Sequence, residues 1–462
     1  MSGTIRLISP IDGRVYAERP VLPAAEAEAA VARAHAAQGA WAALPLSDRI
    51  ARVTAGIAAL EAMRDEITHE LAWQMGRPVR YGGELGGVNE RSAYMARIAA
   101  EALAPTEIED SDRFRREIRR EALGVVLVVA PWNYPYLTAI NTIVPALIAG
   151  NAVVLKHASQ TLLAGERLAL ALHRGGVPQD VFQNLVLDHA ATEALIAARR
   201  FGFVNFTGSV AGGRAIERAA AGTFTPVGLE LGGKDPGYVC ADADLDAAVD
   251  GLMDGAMFNA GQCCCGIERI YVDARLYDAF VAKAVDWVMR QKLGDPTDPE
   301  TTMGPMAHRR FAQLVRDQVA EARAAGATAL IDPADFPADD GGAYLAPEVL
   351  VGVDHDMRVM REESFGPVVG IMPVAGDDAA VRLMNDCAYG LTASIWTSDP
   401  ERAAEIGARL ETGTVYMNRC DYLDPALCWT GCKDTGRGAA LSNLGYLAVT
   451  RPKSYHLKKV QK

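Results

Sequence analysis

Several absences narrow the reading of this chain before any motif does. No apolar run reaches the roughly 18 residues that a membrane-spanning helix needs. The first thirty residues hold no apolar stretch ending in a small-residue cleavage site, which argues against a secretion signal. Cysteine is sparse, with 8 in 462 residues, and three of them are contiguous at 263–265. That number is too small for a disulfide scaffold, and free thiols in a reducing compartment are expected. Basic charge is also short: Lys and Arg number 46 against 58 Asp and Glu, for a net charge of −12. An acidic chain lacks the positive field that holds phosphate backbones, so nucleic acid is not an expected partner. Internal repeats and low-complexity tracts are absent as well. The expectation is a soluble protein of the cytoplasm.

What is present is ordinary globular material, 50% hydrophobic and 23% charged. The length suits two or three packed units. Stretches 24–41 and 47–76 carry charges at helical spacing and predict helices that coat a domain. From Gly124 the pattern changes. GVVLVVAP is a β-branched apolar run, the mark of a strand buried on both faces. A predicted helix over 136–149 ends at Gly150, and a second buried strand, AVVLK, spans 152–156. A helix over 162–173 and strands at 182–187 and 202–206 continue the alternation. Such alternation predicts an α/β fold with a parallel sheet, in which ligands sit beyond the carboxyl ends of the strands. A helix over 245–259, a strand from Ile270 and a helix over 276–292 predict a second α/β unit. The polar stretch 110–121 and the charged tail 450–462 read as exposed strands of an arm.

The strand ends carry the chemistry-bearing residues. Beyond the first stands Pro131-Trp132-Asn133-Tyr134-Pro135, where two prolines stiffen the backbone around an uncharged amide donor. Asn133 suits either a developing oxyanion or a plain turn. Lys156 ends the second strand, placed for a phosphate or ribose or simply as a solvated exit residue. The third strand runs into Thr207-Gly208-Ser209 and Gly213, whose free N–H groups at a helix start offer an anion site. Glu230 lies among leucines and glycines, where desolvation would raise a carboxyl toward the range of a general base. The contiguous Cys263, Cys264 and Cys265 lack the spacing of a zinc site, so no metal is expected. One of them is a candidate nucleophile, and the other two read equally well as small hydrophobes.

In combination these residues resemble the aldehyde dehydrogenase superfamily. The resemblance spans nearly the whole chain. It is carried by PWNYP at 131–135, GNAVVLKHASQ at 150–160, FTGS at 206–209, LELGGKDP at 229–236, FNAGQCCCGIER at 258–269 and EESFGP at 362–367, with GTVYMN at 413–418 and GCKDTGRG at 431–438. It implies a Rossmann-like cofactor domain over 1–109 and 123–232, an α/β catalytic domain over 233–440, and a small β oligomerisation arm from 110–122 and 441–462, with a homodimer or dimer of dimers. It implies Cys264 as nucleophile, Asn133 as oxyanion donor and Glu230 as the base that activates water. Lys156 would meet the adenosine ribose, Ser209 the pyrophosphate, Glu363 the nicotinamide ribose, and Phe365 would pack beside the nicotinamide. Pro131, Trp132, Ser159, Gly208, Gly213, Leu231 and Gly232 complete the implied cofactor set. The implied substrate wall is Tyr134, Asn141, Cys263, Cys265, Leu423 and Trp429. The reaction implied is oxidation of an aldehyde to a carboxylic acid with hydride transfer to NAD or NADP. The alternative is a thiol esterase that uses Cys264 and Glu230 without redox turnover.

Three departures from the family pattern sharpen the expectations. NAD-preferring members often carry a glutamate where this chain has Ser159. Without that carboxylate a 2′-phosphate is not repelled, while Lys156 remains to attract it, so NADP is expected to be accepted and preferred. Thr142 and Ala440 stand where many relatives have a lysine and a glutamate that relay the proton of the base, so water in the tunnel is the expected route. Asn141 replaces a common aromatic, which predicts a more polar tunnel and a semialdehyde or other polar aldehyde. For Arg419 and Asp421 two readings stand: recognition of a charged substrate tail, or pairing with each other.

Overall fold

A computed structural model describes residues 3–460; the ends of the cofactor-domain and tail ranges above, at 1–2 and 461–462, lie outside the described residues. The apolar run from Gly124 becomes the strand Val125–Val129, with all five residues buried. It lies inside a six-stranded sheet between Phe203–Thr207 and Ala152–Lys156. Val227–Glu230 and Phe182–Asn184 flank these, and the short Gly436–Arg437 closes one edge. Every pairing is parallel except that of Gly436–Arg437 with Val227–Glu230. Helices Ala24–Ala42, Leu46–Glu61 and Ile140–Ile148 contribute apolar faces to the core around this sheet. The last carbonyls of Ile140–Ile148 accept from Trp41 Nε1 and Arg49 Nε, both at 2.8 Å, which satisfies groups a helix end leaves open.

Some boundaries differ from the sequence reading, for tertiary reasons. The single run expected over 47–76 is two helices, Leu46–Glu61 and Arg64–Met75, because Met63 leaves the helical region to bury its side chain. The helix expected from 136 begins at Ile140, because the preceding turns are tight, with Asn141 N donating to Thr138 O and Thr142 N to Ala139 O; the N–H groups of Tyr136 and Leu137 go to the Glu84 carboxylate. The helix expected to reach 259 ends at Met257, and Asn259 and Ala260 adopt left-handed φ values of 54° and 53°.

The second sheet has seven strands, in the order Thr328–Ala329, Glu348–Val351, Val368–Val374, Ile267–Asp273, Asp235–Val239, Thr392–Trp396 and Thr414–Met417. All its pairings are parallel except at the Thr328–Ala329 edge. Asp235–Val239 escaped the sequence reading because Pro236 and Gly237 punctuate it, yet all five residues are buried. A third sheet pairs Thr450–Lys458, Phe114–Ala122 and Thr106–Asp110 antiparallel; the polar stretch 110–121 and the tail are strands as expected, while Thr106–Asp110 was not anticipated. Between sheet and tail, Ser442–Ala448 is a helix held down by Tyr446, whose hydroxyl donates to the Met95 carbonyl at 2.8 Å.

Candidate active site

Strand register aligns the expected residues along one edge of the six-stranded sheet. Val129 is opposite both Lys156 and Phe206, and Thr207 is opposite Glu230, so the segments that follow all four strands emerge together. Pro131 and Trp132 leave the first. The Trp132 ring stacks on Phe311 at 5.1 Å and meets the Phe365 ring edge-on at 5.5 Å. Lys156 is 8% exposed and has no hydrogen-bond or ion-pair partner among the described residues, and burial lowers its pKa. Ser159 is exposed at the head of the short turn Ser159–Thr161. Gly208 and Ser209 lead into helix Val210–Ala220, whose first turn is capped by Ser209 Oγ accepting from Gly212 N at 3.2 Å. Gly213 gives Leu231 room: a Cβ there would stand 2.6 Å from Leu231 Cδ2.

Glu363 comes from the other sheet's side and closes over this edge. Its Oε1 accepts from Gly233 N at 3.0 Å, and a Cβ at Gly232 would displace the carboxylate from this position. Burial, and then the nearby Glu268, push Glu363 up to about 8. Glu268 itself holds the loop, accepting from Ser364 N at 2.8 Å, from Phe365 N at 2.9 Å and from the buried Lys234 ammonium. Phe365 is thereby kept at a φ of 51°, a strained value for an aromatic residue. An unpaired lysine, a capped helix start and a carboxylate over glycine backbone on one edge fit a phosphate-bearing dinucleotide.

Cys264 sits on the loop after helix Leu245–Met257, cross-tied by Gln262, whose Nε2 donates to Asn259 O at 3.0 Å and whose Oε1 accepts from Ala307 N at 2.8 Å. The three sulfurs of Cys263, Cys264 and Cys265 all lie within 4.8 Å of one another. Cys263 Sγ and Cys265 Sγ stand 3.2 and 3.0 Å from Asp421 Oδ1, and the single hydrogen of each thiol can go either to that oxygen or to the Cys264 sulfur. The Cys263 thiol, then that of Cys265, favours the Cys264 thiolate and outweighs burial, so Cys264 lies below the ordinary thiol range. Cys263 and Cys265 are pushed up. Asn133 Nδ2 gives one hydrogen to Gln262 O at 3.2 Å, which leaves its second beside the cysteine loop. The Cys264 N–H has no partner among the described residues.

Glu230 and Cys264 border one cavity of about 180 Å³. Desolvation lifts Glu230 to about 7, against an opposing hydrogen bond from Thr207 Oγ1 at 3.2 Å. The same cavity is lined by all six expected wall residues, Tyr134, Asn141, Cys263, Cys265, Leu423 and Trp429. Of the two residues left open by the sequence, only Asp421 lines it, and the two do not pair. Arg419 lies over the Tyr422 ring at 4.0 Å, while Asp421 Oδ1 faces the thiols of Cys263 and Cys265. Thr142 and Ala440 line a second cavity of about 390 Å³ that also touches Glu230.

Sequence reasoning missed the charged residues that hold these loops. Arg77 donates to Asn133 O at 2.5 Å, to Glu84 Oε1 at 2.9 Å and to Asn259 Oδ1 at 3.3 Å, and stands over the Tyr134 ring at 4.6 Å. Arg91 also lines the cavity. On helix Leu85–Ala102 it shares the buried stripe of Leu85, Val88, Ser92, Met95 and Ala99, and a charge on an apolar stripe is a signal the periodicity carries.

A half-buried thiol of lowered pKa, a desolvated carboxylate and a dinucleotide-type strand edge together fit an α/β oxidoreductase that works through a covalent thiol adduct. Similarity is specific about which. The aldehyde dehydrogenase family pattern matches residues 1–455, and the chain belongs to that family. It is an NAD(P)-dependent aldehyde dehydrogenase. It is 34% identical to a succinate-semialdehyde dehydrogenase [NADP(+)] of Mycolicibacterium paratuberculosis over 97% of this chain and 96% of that one. Among solved structures it resembles succinic semialdehyde dehydrogenase from Streptococcus pyogenes in complex with NADP+, at 28% identity and a TM-score of 0.93 over 98% and 100% of the two chains. NADP-dependent glyceraldehyde-3-phosphate dehydrogenase from Bacillus halodurans C-125 matches at 31% identity and a TM-score of 0.93, over 99% and 96%. Among the described residues no helix is long and apolar enough to cross a membrane.

Proposed function

We propose that this chain oxidises a short semialdehyde to the dicarboxylic acid, with NADP as the preferred hydride acceptor and NAD accepted. The observation that carries this reading is the shared cavity of Cys264 and Glu230, a nucleophile and a base held at one substrate-sized space. The NADP-dependent semialdehyde relatives support both substrate and cofactor.

The Cys264 thiolate adds to the carbonyl carbon, forming a C–S bond as the carbonyl electron pair moves to oxygen. The free N–H of Asn133 Nδ2 and the Cys264 N–H receive that oxyanion, each donor worth on the order of 3 kcal/mol. When bound, NADP supplies the acceptor for the hydride that leaves the aldehyde carbon. Glu230 then takes a proton from water as the water oxygen attacks the Cys264 thioester. The C–S bond breaks and the acid departs. A relative that passes its acyl group to phosphate or coenzyme A has no need of this base, so Glu230 favours hydrolysis. With Thr142 and Ala440 in place of a charged relay, the second cavity beside Glu230 supports a water route for the proton.

Lys156 and Ser159 act at the far end of the cofactor, where the lysine attracts a 2′-phosphate and the serine does not repel it. The exposed three-stranded arm supports a homodimer or dimer of dimers, and eight free thiols support a reducing, cytoplasmic setting. The test is an aldehyde panel with NADP and with NAD, following nucleotide reduction, with Cys264→Ala as blank. Nucleotide reduction that tracks acid formation is expected. No nucleotide reduction with any aldehyde, together with acid released from an activated ester such as 4-nitrophenyl acetate in the absence of nucleotide, would replace this reading by the thiol esterase.

A further inference from the structure

The cavity beside Cys264 contains a cation that none of the steps above employs. Arg91 is 5% exposed, and what remains open of it faces that cavity. Its Nη1 donates to Leu137 O and to Asn141 Oδ1, each at 3.2 Å. Glu230, Glu84 and Asp421 act on it only through space, and no carboxylate bonds it among the described residues. A guanidinium keeps its charge at any working pH, so burying one without a bonded counter-ion is costly unless a ligand completes the pair.

Two further groups in the same cavity are incomplete in the same sense. A guanidinium only donates, so Arg91 requires the Asn141 amide to turn Oδ1 toward it. That leaves Asn141 Nδ2 buried with no partner, and the Tyr134 hydroxyl is likewise buried with no partner. Asn141 and Tyr134 both line the cavity. A permanent cation, an amide NH2 and a phenolic O–H are all donors on residues that line one space, and such a set calls for an anion with several lone pairs. The acidic residue across the cavity does not oppose this. Asp421 faces the thiols of Cys263 and Cys265 within hydrogen-bond distance, and burial raises its pKa, which favours its neutral form. Leu137, Leu423, Trp429 and Phe258 supply apolar wall for the methylenes between the two ends of a substrate.

We propose that Arg91, with Asn141 Nδ2 and the Tyr134 hydroxyl, forms a carboxylate subsite that selects aldehydes carrying an anionic group at the far end of a short chain. This deepens the semialdehyde reading and depends on it. Arg91 is a specificity residue that binds the tail and takes no part in the bonds made or broken at Cys264.

The test compares succinic semialdehyde with butanal, in which a methyl group replaces the carboxylate. The parent enzyme should prefer the semialdehyde. Arg91→Met should lower kcat/KM for the semialdehyde on the order of 100-fold, chiefly through KM, and the loss should exceed that for butanal by at least about 10-fold. Arg91→Lys, which keeps the charge and loses the fork, should fall between the two. A measurement without mutation accompanies it: succinate should inhibit butanal oxidation by the parent enzyme at least about 10-fold more strongly than butyrate. Equal losses for both aldehydes in Arg91→Met, together with equal inhibition by the two acids, would overturn the subsite. A parent enzyme that oxidises butanal but not the semialdehyde overturns the subsite and leaves aldehyde oxidation standing. Failure to reduce nucleotide with either aldehyde, when a wider panel also fails, overturns the oxidation itself.

Discussion

Arg77 Nη2 donates to the carbonyl oxygen of Asn133 at 2.5 Å, so a residue fifty-odd positions upstream holds the amide that faces the nucleophile loop. The same guanidinium pairs with Glu84 in the interior, with side-chain exposures of 4% and 1%. Burial nonetheless pushes Glu84 above the usual carboxylate range, and Arg77 only partly offsets that. Arg77→Met should therefore leave an uncompensated buried acid and cost about 3–5 kcal/mol, read as a lower midpoint in denaturant unfolding. The double variant Arg77→Met, Glu84→Gln should recover part of that loss. A single variant as stable as the parent would show that this pair does not hold the loop.

Glu230 sets a pH dependence whose sign follows from its raised pKa of about 7. The ionised form is the base, so steady-state turnover limited by hydrolysis should rise through about pH 7 and level off above it. Glu230→Gln should keep the first equivalent of reduced nucleotide while steady turnover falls about 10²- to 10³-fold. Rapid-mixing kinetics reads both.

The same group affects stability in the opposite direction. Folding favours the protonated carboxyl, so its ionisation opposes folding. The penalty is absent below the ordinary value of 4.5, grows as pH rises to about 7 and is complete above it. Glu230→Gln should thus gain on the parent by on the order of 3 kcal/mol at pH 8 and by almost nothing at pH 4. Unfolding curves at the two pH values decide this.

Cofactor choice should turn on Ser159. Placing a carboxylate there by Ser159→Glu restores repulsion against a 2′-phosphate three residues from Lys156. The expected result is a fall of at least about 10-fold in kcat/KM for NADP relative to NAD, with the aldehyde KM unchanged. An unaltered ratio would place the discrimination elsewhere.

Among the eight free thiols, Cys264 should be alkylated first. Iodoacetamide should label it with a midpoint below the ordinary thiol value of about 8.5, and Cys264→Ser should abolish the fast phase. Peptide mass mapping identifies the site. Fast labelling of Cys263 or Cys265 instead would contradict their raised pKa values.

Much of the sheet was legible because β-branched runs such as 125–129 and 152–156 have few alternatives to a doubly covered strand. The strand at 235–239 was hidden because Pro236 and Gly237 read locally as breakers, and only burial between two neighbours outvotes them. The residues of the cofactor edge were legible for a local reason, since they directly follow strands. Glu268, Lys234 and Arg77 were not, because a charge is ordinary on a surface and meaningful only once it is known to be enclosed.

Taken alone, the sequence determined the alternation of elements, the row of residues at the strand ends and a short list of candidates for nucleophile and base, all properties of short stretches. Only the tertiary structure decided which charges face each other across long separations. It brought Arg91 to Asn141, turned Asp421 to the thiols rather than to Arg419, and set Glu268 under the loop of Glu363. Coulombic and hydrogen-bonding partners depend on distance and desolvation in three dimensions, and neither quantity is written in the order of residues.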